Sequence, residues 1–387
     1  MIKNVAILGS TGVIGKKTID IISKNKKEFK IILLSTNTNV KKLIFQAKKF
    51  NVKNLIIADL NEFNKAKKKY KKYKFKLFNS FSVVDELFFK KKIFYTMVSI
   101  VGIDGLYPTL KMIKYSQNIG ITNKESLICG WNLIQKKLNK FKTNFIPVDS
   151  EHFSIFSLIQ NQKKDLIKKV FLTASGGPFL NLPSKNFSKI TISDAVKHPN
   201  WIMGKKISVD SSTMMNKVFE VIEAKNIFEF SLKQLSILIH QKSYVHSLVQ
   251  FKNGLVKIIA HNPDMSIPII NSIFNFNKKL SNFNVNIKHL NELSLAKVDY
   301  KKFPLVKILN LVPDKPSLYE TALVCLNDYF VNKFLNKKIT YKELIFYIKK
   351  YSKYKKFLVL KRKKPHTLKN IMQTRDYVCL KLNTLGI

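Results

Sequence analysis

The start of this chain constrains its fold most: an apolar strand runs into spaced glycines and then into a helix. Lys3 to Leu8 reads as a buried strand, and Gly9-Ser10-Thr11-Gly12-Val13-Ile14-Gly15 follows it directly. A helix is predicted from about Lys16 to Ser23. Glycines at such a turn permit tight folding and close approach of backbone N–H groups to a pyrophosphate. The helix N-terminus behind them adds a favourable partial charge. The spacing is a GxxGxxG variant of the dinucleotide fingerprint. A plain tight turn has the same glycines, but the strand-loop-helix context favours the nucleotide reading.

The alternation continues downstream. Ile31-Ile32-Leu33-Leu34 reads as a second strand, Val40 to Phe50 as a helix and Asn54 to Ala58 as a third strand. Ile93 to Ile100 and Asn118 to Thr122 supply further strands, and the Lys/Tyr run Lys67 to Lys76 reads as an exposed helix end or loop. Strands alternating with helices predict an α/β unit with a Rossmann-like, doubly wound parallel sheet. From about Ile146 the pattern changes to apolar strands between glycine turns, which predicts a central α+β domain. The C-terminal part has helical spacing at Leu318 to Leu335 and Tyr341 to Tyr351. The expected division is 1–148, 149–275 with a lid loop near 198–205, a linker 276–301, and a helical domain 302–387.

A chain of 387 residues, 45% hydrophobic, is long enough for two or three cores. It has no run of about 18 apolar residues, so no membrane span is expected. No charged-then-apolar leader precedes the first strand, so a cytoplasmic location is expected. Cys129, Cys325 and Cys379 form no CxxC, which argues against a disulfide framework or a zinc site. The formal charge of +45 suggests nucleic acid at first sight. Yet the only arginines are Arg362 and Arg375, and base readers rely on Arg forks. The lysines are spread along the chain, and Lys, Asn, Ile, Phe and Tyr all have AT-rich codons. A solvated basic surface is the simpler reading, with only nonspecific attraction to polyanions.

Acidic residues are scarce, 24 against 69 basic ones, so acidic motifs stand out. Asp149-Ser150-Glu151 follows the apolar run Phe145 to Val148. If extended, it points both carboxylates to one face as hard ligands for Mg²⁺ or Mn²⁺. Equally, it reads as an N-cap Asp and a first-turn Glu before a helix at Phe153 to Ile159. Glu220 and Glu223 are i, i+3 neighbours on a helix. Upstream, Asp210-Ser211-Ser212-Thr213-Met214-Met215-Asn216-Lys217 collects hydroxyls, an amide and an ammonium, either a phosphate site or a capped surface helix. Thr173-Ala174-Ser175-Gly176-Gly177-Pro178-Phe179 is a second hydroxyl-bearing loop. His198-Pro199-Asn200-Trp201-Ile202-Met203-Gly204 has the mixture an apolar lid needs, although a single Trp is more often core. After the second strand, Ser35-Thr36-Asn37-Thr38-Asn39 carries no acid, which favours NADP over NAD. It carries no Arg either, leaving hydroxyls, amides and Lys41 or Lys42 for the 2′-phosphate.

Together these segments resemble the 1-deoxy-D-xylulose 5-phosphate reductoisomerases of the non-mevalonate isoprenoid pathway. The matching stretches begin at Gly9, Asn123 (NKESL), Pro147 (PVDSEH), Thr173, His198 (HPNWIMGKKISVDSSTMMNK), Val245 (VHSLV) and Asn262 (NPDMSIPI). They keep the family's order over roughly residues 1–275. The resemblance implies an NADPH domain, a catalytic domain that also forms a homodimer, and a C-terminal helical bundle. It implies conversion of 1-deoxy-D-xylulose 5-phosphate to 2-C-methyl-D-erythritol 4-phosphate by a metal-assisted rearrangement and hydride transfer. It places one Mg²⁺ or Mn²⁺ on Asp149, Glu151 and Glu220. Lys124, Glu151, His198, Glu223 and His246 fall around the reacting part of the substrate. Ser150, Ser175, Trp201, Met203, Ser211, Asn216, Lys217 and Met265 match substrate positions. Ser10, Thr11, Gly12, Val13, Ile14, Asn37, Thr38, Asn39, Asn123, Glu125 and Gly204 match cofactor positions.

Some residues depart from the family pattern. Asn37-Thr38-Asn39 lacks the basic residue often found there, Val218-Phe219 replaces Gly-Leu, Gln241 replaces Pro, and Val324-Cys325-Leu326-Asn327-Asp328 replaces Asn-Ala-Ala-Asn-Glu. Another NADP-dependent oxidoreductase would explain the glycine loop but not the acidic and MNK motifs together. A nucleic-acid binder is suggested by charge alone, and an inactive scaffold is opposed by the intact carboxylates.

Overall fold

The computed structural model describes residues 2–201, 203–279, 285 and 287–385. Parts of the expected lid (Ile202), linker (280–284 and 286) and chain ends lie outside the described residues. The chain forms two compact units. The first comprises Met1–Ser126, Leu133–Asp149 and Met265–Lys279; the second comprises Leu127–Asn132, Ser150–Asp264 and Leu280–Ile387.

The first unit is built on seven strands: β1 Lys3–Leu8, β2 Phe29–Thr36, β3 Asn54–Ile57, β4 Lys76–Phe78, β5 Ile93–Val98, β6 Ser116–Ile121 and β7 Asn144–Pro147. Their order is β4-β3-β2-β1-β5-β6-β7, and every pairing is parallel. Val5, Ala6, Ile7 and Leu8 of β1 are buried, as expected for a central strand covered on both faces. The expected doubly wound sheet is therefore present. The Val40–Phe50 helix has the predicted bounds because its signals are local. Asn39 caps it by accepting from Lys42 N, Val40, Leu43, Ile44 and Ala47 form the buried stripe, and left-handed Asn51 ends it.

Sequence order reverses between β1 and β5: the chain goes from β1 outward to β4, then returns to pair β5 with β1. Ligands of open parallel sheets bind beyond the C-terminal ends of strands at such a switch point. The glycine turn follows β1 there. The Ser266–Phe274 helix also belongs to this unit. Ile269 and Ile273 join its core, and Ser272 Oγ lies 2.7 Å from the buried Tyr95 hydroxyl. In the sequence, nothing around 265–275 pointed to a partner so far upstream.

The second unit holds a mixed sheet of β8 Ile167–Ala174, β9 Leu235–Ile239, β10 Val245–Phe251, β11 Val256–Ala260 and β12 Ala296–Lys297. Its order is β11-β10-β8-β9-β12, with β8 and β9 parallel and the other pairs antiparallel. The Ser150–Ile159 helix packs on β10. The Met215–Phe228 helix is buried almost all round. The predicted helices Leu318–Leu335 and Tyr341–Tyr351 are found with those bounds, and Leu368–Asn383 packs against the first of them. No helix among the described residues is long and apolar enough to cross a membrane.

Candidate functional site

In the first unit the glycine turn is held by close backbone contacts. Gly9 has φ of 78°, and a Cβ there would lie 2.7 Å from Ser99 O. A Cβ on Gly15 would lie 2.3 Å from Gly9 O. The end of β2 is stitched to the turn by Gly9 N donating to Ser35 Oγ at 3.0 Å and by Thr11 Oγ1 against Thr36 Oγ1 at 2.8 Å. Gly12 precedes the Val13–Ser23 helix without a capping side chain, so the first N–H groups of that helix are not claimed by one. Gly12 and Val13 are exposed, and Thr11 and Ile14 half-buried. Ser10 differs: it is fully buried, donates to Gln46 Oε1 at 2.8 Å, and its backbone N–H is bound to Ser35 O. Its hydroxyl thus serves the core of the unit.

Asn37, Thr38 and Asn39 form an exposed stretch after β2. Asn123 caps the Lys124–Phe141 helix through its side-chain oxygen, and its amide donates to Gly102 O at 2.6 Å and to Ile100 O. Glu125 is buried, and Lys124 Nζ stands 3.1 Å from Asp149. Met265 packs against this unit's core.

In the second unit, residues 150–159 are helical, so the extended alternative for Asp149-Ser150-Glu151 is not the one that forms. Glu151 occupies the first turn, where the helix dipole favours a negative charge. Its carboxylate accepts from Ser150 Oγ at 2.6 Å and from Lys217 Nζ at 2.6 Å. Lys217 also pairs with Glu220, and Asn216 donates to the other Glu220 oxygen. Carboxylate oxygens of Glu151 and Glu220 come within 4.8 Å of each other. Burial alone raises a carboxyl pKa, but the Lys217 ammonium outweighs it and holds Glu151 well below the usual range. Burial likewise works against the Lys217 charge, and the two carboxylates more than restore it. Lys217 thus stands between two acids, although its sequence neighbours are hydroxyls and an amide.

His152, which is not among the residues expected from the sequence, ties the two acidic helices together. Its Nε2 lies 2.9 Å from the Glu220 carbonyl and its Nδ1 3.6 Å from Glu223, both side chains being almost fully buried. Its position next to Glu151 was the available signal. His198 is set by three hydrogen bonds. Its Nδ1 accepts from Asn200 N and Trp201 N, so Nε2 carries the proton toward Ser175 Oγ at 3.0 Å. Ser175 Oγ also accepts from Gly177 N at 3.1 Å, which leaves its own hydrogen to donate to an anion. Gly176 and Gly177 have positive φ, and a Cβ on Gly177 would lie 2.9 Å from Ser211 O, so this loop lies against the Ser211 segment. Burial, then Lys217, pushes His198 down to about 4. His246 is pushed down to about 3, by burial first and then His261. Trp201 meets the His246 ring edge-on at 6.0 Å. Met203 is half-buried and Gly204 exposed.

A glycine turn at the switch point of a parallel sheet, joined in one chain to a buried Glu-Lys-Glu cluster, defines a nucleotide-dependent α/β enzyme of the oxygen-ligand metal type. Family models described as 1-deoxy-D-xylulose 5-phosphate reductoisomerase, the C-terminal domain of that enzyme, and the DXP reductoisomerase C-terminal domain match residues 5–130, 145–228 and 261–378. The chain belongs to the 1-deoxy-D-xylulose 5-phosphate reductoisomerase family. It is 51% identical to the enzyme of that name from Pelagibacter ubique (strain HTCC1062) over 387 residues, all of both chains. It is 36% identical to that of Wolbachia sp. subsp. Drosophila simulans (strain wRi), covering 89% of this chain and 88% of the relative. Among solved structures, the Zymomonas mobilis reductoisomerase in complex with NADPH matches with a TM-score of 0.86 and 28% identity, over 100% of this chain and 99% of that one. A reductoisomerase with NADPH, fosmidomycin and magnesium matches at 0.89 and 29%, over 97% and 96%.

Proposed function

We infer that this chain converts 1-deoxy-D-xylulose 5-phosphate to 2-C-methyl-D-erythritol 4-phosphate, using NADPH and one Mg²⁺ or Mn²⁺. The observation that carries this reading is the Glu151–Lys217–Glu220 cluster. Hydride transfer alone does not need a nest of hard oxygen donors, whereas a rearrangement at a ketone and its neighbouring hydroxyl does. Glu151 and Glu220 fit a small divalent cation by ligand type and spacing, and Asp149, two residues before Glu151, is the third proposed ligand. The bound ion supplies Lewis acidity at the substrate oxygens, and NADPH supplies the hydride.

The protein's own groups bind, orient and move protons. Lys124, Glu151, His198, Glu223 and His246 are the proposed groups around the reacting carbons, with Lys124 and Glu151 exchanging protons with substrate oxygens. Ser175, Ser211, Asn216 and Lys217 are proposed for the phosphate, and the free hydrogen of Ser175 suits that role. Ser150, Trp201, Met203 and Met265 are the other proposed substrate contacts. Thr11 and Gly12 of the turn, and Val13 and Ile14 at the start of the helix, are proposed for NADPH, with Ser10 beneath them. Asn37, Thr38, Asn39, Asn123, Glu125 and Gly204 complete the proposed cofactor set.

Residues 149–275 and 302–387 are proposed as the catalytic and C-terminal domains, 1–148 as the NADPH domain, 276–301 as the linker and 198–205 as a lid. A homodimer is also proposed. β11 is an edge of its sheet and exposes Val256 and Ile258, with Leu255 exposed just before it, an apolar edge that a second copy can cover. A cytoplasmic location is part of the same reading. The test of the activity is NADPH oxidation with 1-deoxy-D-xylulose 5-phosphate, with and without Mg²⁺ or Mn²⁺. Turnover that needs both the sugar phosphate and the ion is expected; oxidation indifferent to the ion would sink the reading.

A further inference from the structure

A second histidine is built against His246. In β10 and β11, Val245 pairs with Ala260 and Ser247 with Ile259, so His246 is the extra residue of a β-bulge. A bulge breaks the up-down alternation of a strand and re-aims one side chain. The re-aimed imidazole meets His261, the first residue after β11. The rings stack with centroids 3.8 Å apart and planes 23° from parallel. His246 Nε2 lies 3.1 Å from the His261 carbonyl. A carbonyl can only accept, so Nε2 carries the hydrogen and Nδ1 of the neutral ring is left as the acceptor. His261 is oriented in turn: its Nδ1 lies 2.7 Å from the Asn262 carbonyl and therefore donates, and its buried Nε2 has no hydrogen-bond partner among the described residues. Trp201 closes the edge of the His246 ring.

We propose that His261 is a positioning residue: its carbonyl fixes the His246 tautomer and its ring holds the His246 imidazole in one plane, with Nδ1 bare toward the substrate's proton chemistry. A bulged residue lacks the strand neighbours that fix an ordinary side chain. The single hydrogen bond to a carbonyl leaves the ring free to swing about the N–H···O axis. A flat partner at stacking distance removes that freedom, and Trp201 alone, meeting the ring by its edge, does not. Burial of both rings disfavours a charge on either, so the stack also keeps His246 neutral, in line with its depressed pKa.

The proposal rests on the reading of His246 as a group that acts on the substrate, and the experiment separates the two. The full-length enzyme is labelled with ¹⁵N-histidine, and the His246 signals are assigned by their loss in His246→Gln. The wild type is expected to show one neutral tautomer, protonated at Nε2. In His261→Ala, which keeps the carbonyl and so the Nε2–H tautomer, the His246 signals should shift and broaden as the ring is freed to swing. Its kcat should fall by roughly tenfold or more, with KM for the sugar phosphate and the thermal midpoint little changed. His261→Phe, which restores a flat ring without the nitrogens, should recover both the signature and kcat. An unchanged His246 spectrum in His261→Ala overturns the proposal, and so does a failure of His261→Phe to restore a lost signature. A changed His246 spectrum with unchanged kcat leaves the positioning standing and sinks the catalytic role of His246.

Discussion

Lys217 shows how one side chain takes its character from its surroundings. Its ammonium is buried and faces Glu151 and Glu220 together. A charge-assisted contact from it to the substrate phosphate is worth about 1.5–3 kcal/mol. Lys217→Ala should therefore raise KM for the phosphorylated substrate, and the loss should be much smaller for an analogue without phosphate. Equal losses in steady-state assays of the two substrates would show that Lys217 acts through its two acids instead. The exposed Asn37-Thr38-Asn39 stretch is proposed to set cofactor choice. With no acid there to repel a 2′-phosphate and no Arg to clamp it, NADPH should be preferred by a modest margin. Thr38→Arg should widen the ratio of kcat/KM for NADPH over NADH, and Thr38→Asp should abolish or reverse it; a ratio deaf to both changes means this stretch does not face the ribose.

The histidines predict acid behaviour at the same scale. His198 and His246 have folded pKa values below the ordinary 6.5, about 4 and about 3. Below pH 6.5 the unfolded chain therefore binds more protons at these sites than the folded one. Their contribution is present above 6.5 and is lost as pH falls through the folded values. Glu151, also depressed, loses its contribution in the same direction at lower pH. Urea midpoints should drop between about pH 7 and about pH 5, and replacing both histidines by Gln should flatten that drop. A wild-type midpoint that does not move would contradict the depressed values.

The Met215–Phe228 helix is the element on which the candidate site turns. Asn216, Glu220 and Glu223 share one face at i, i+4 and i+7, and Lys217 flanks it. Lys225 lies on the opposite face, where it donates to Glu320 at 2.8 Å and to Pro313 O at 2.9 Å. Glu320 in turn caps the Leu318–Leu335 helix through Ser317. The pair is almost wholly excluded from water, so removing one partner strands the other charge. Lys225→Met should destabilise by about 3–5 kcal/mol, and adding Glu320→Gln should recover part of that loss. Urea unfolding of the two variants checks this; equal stability of Lys225→Met and wild type would show that Glu320 finds another partner. Met214, a non-glycine residue at φ 65°, makes the corner that starts this helix. Its strain is invisible in a composition that reads simply as Met-Met.

At the scale of the molecule, the +45 charge and the exposed edge of β11 are the features that bear on partners. The charge is spread over the chain and carries no Arg cluster, so any attraction to polyanions should be salt-sensitive and without sequence choice. The edge exposes Val256 and Ile258 and is the proposed self-association surface. Ile258→Lys places a charge in the middle of that edge and should convert the proposed dimer to monomer, as read by light scattering. A mass unchanged by the substitution would place the self-association surface elsewhere.

The first sheet was legible in the sequence because its signals are local. Strand, glycine turn and helix follow each other within the first residues, and parallel strands buried on both faces declare themselves as apolar runs. The Val40–Phe50, Leu318–Leu335 and Tyr341–Tyr351 helices were legible because caps and apolar spacing lie within each segment. The short β4 and the half-buried β9 were not, since three residues or an ordinary alternation carry too little signal. The residue types of the candidate site could be read from motifs, but not their pairings. That Lys217 sits between Glu151 and Glu220, that His152 joins two helices, and that a bulge turns His246 onto His261 depend on contacts between residues far apart in the chain. Such contacts are decided by the packing of whole elements, so only the tertiary structure could supply them.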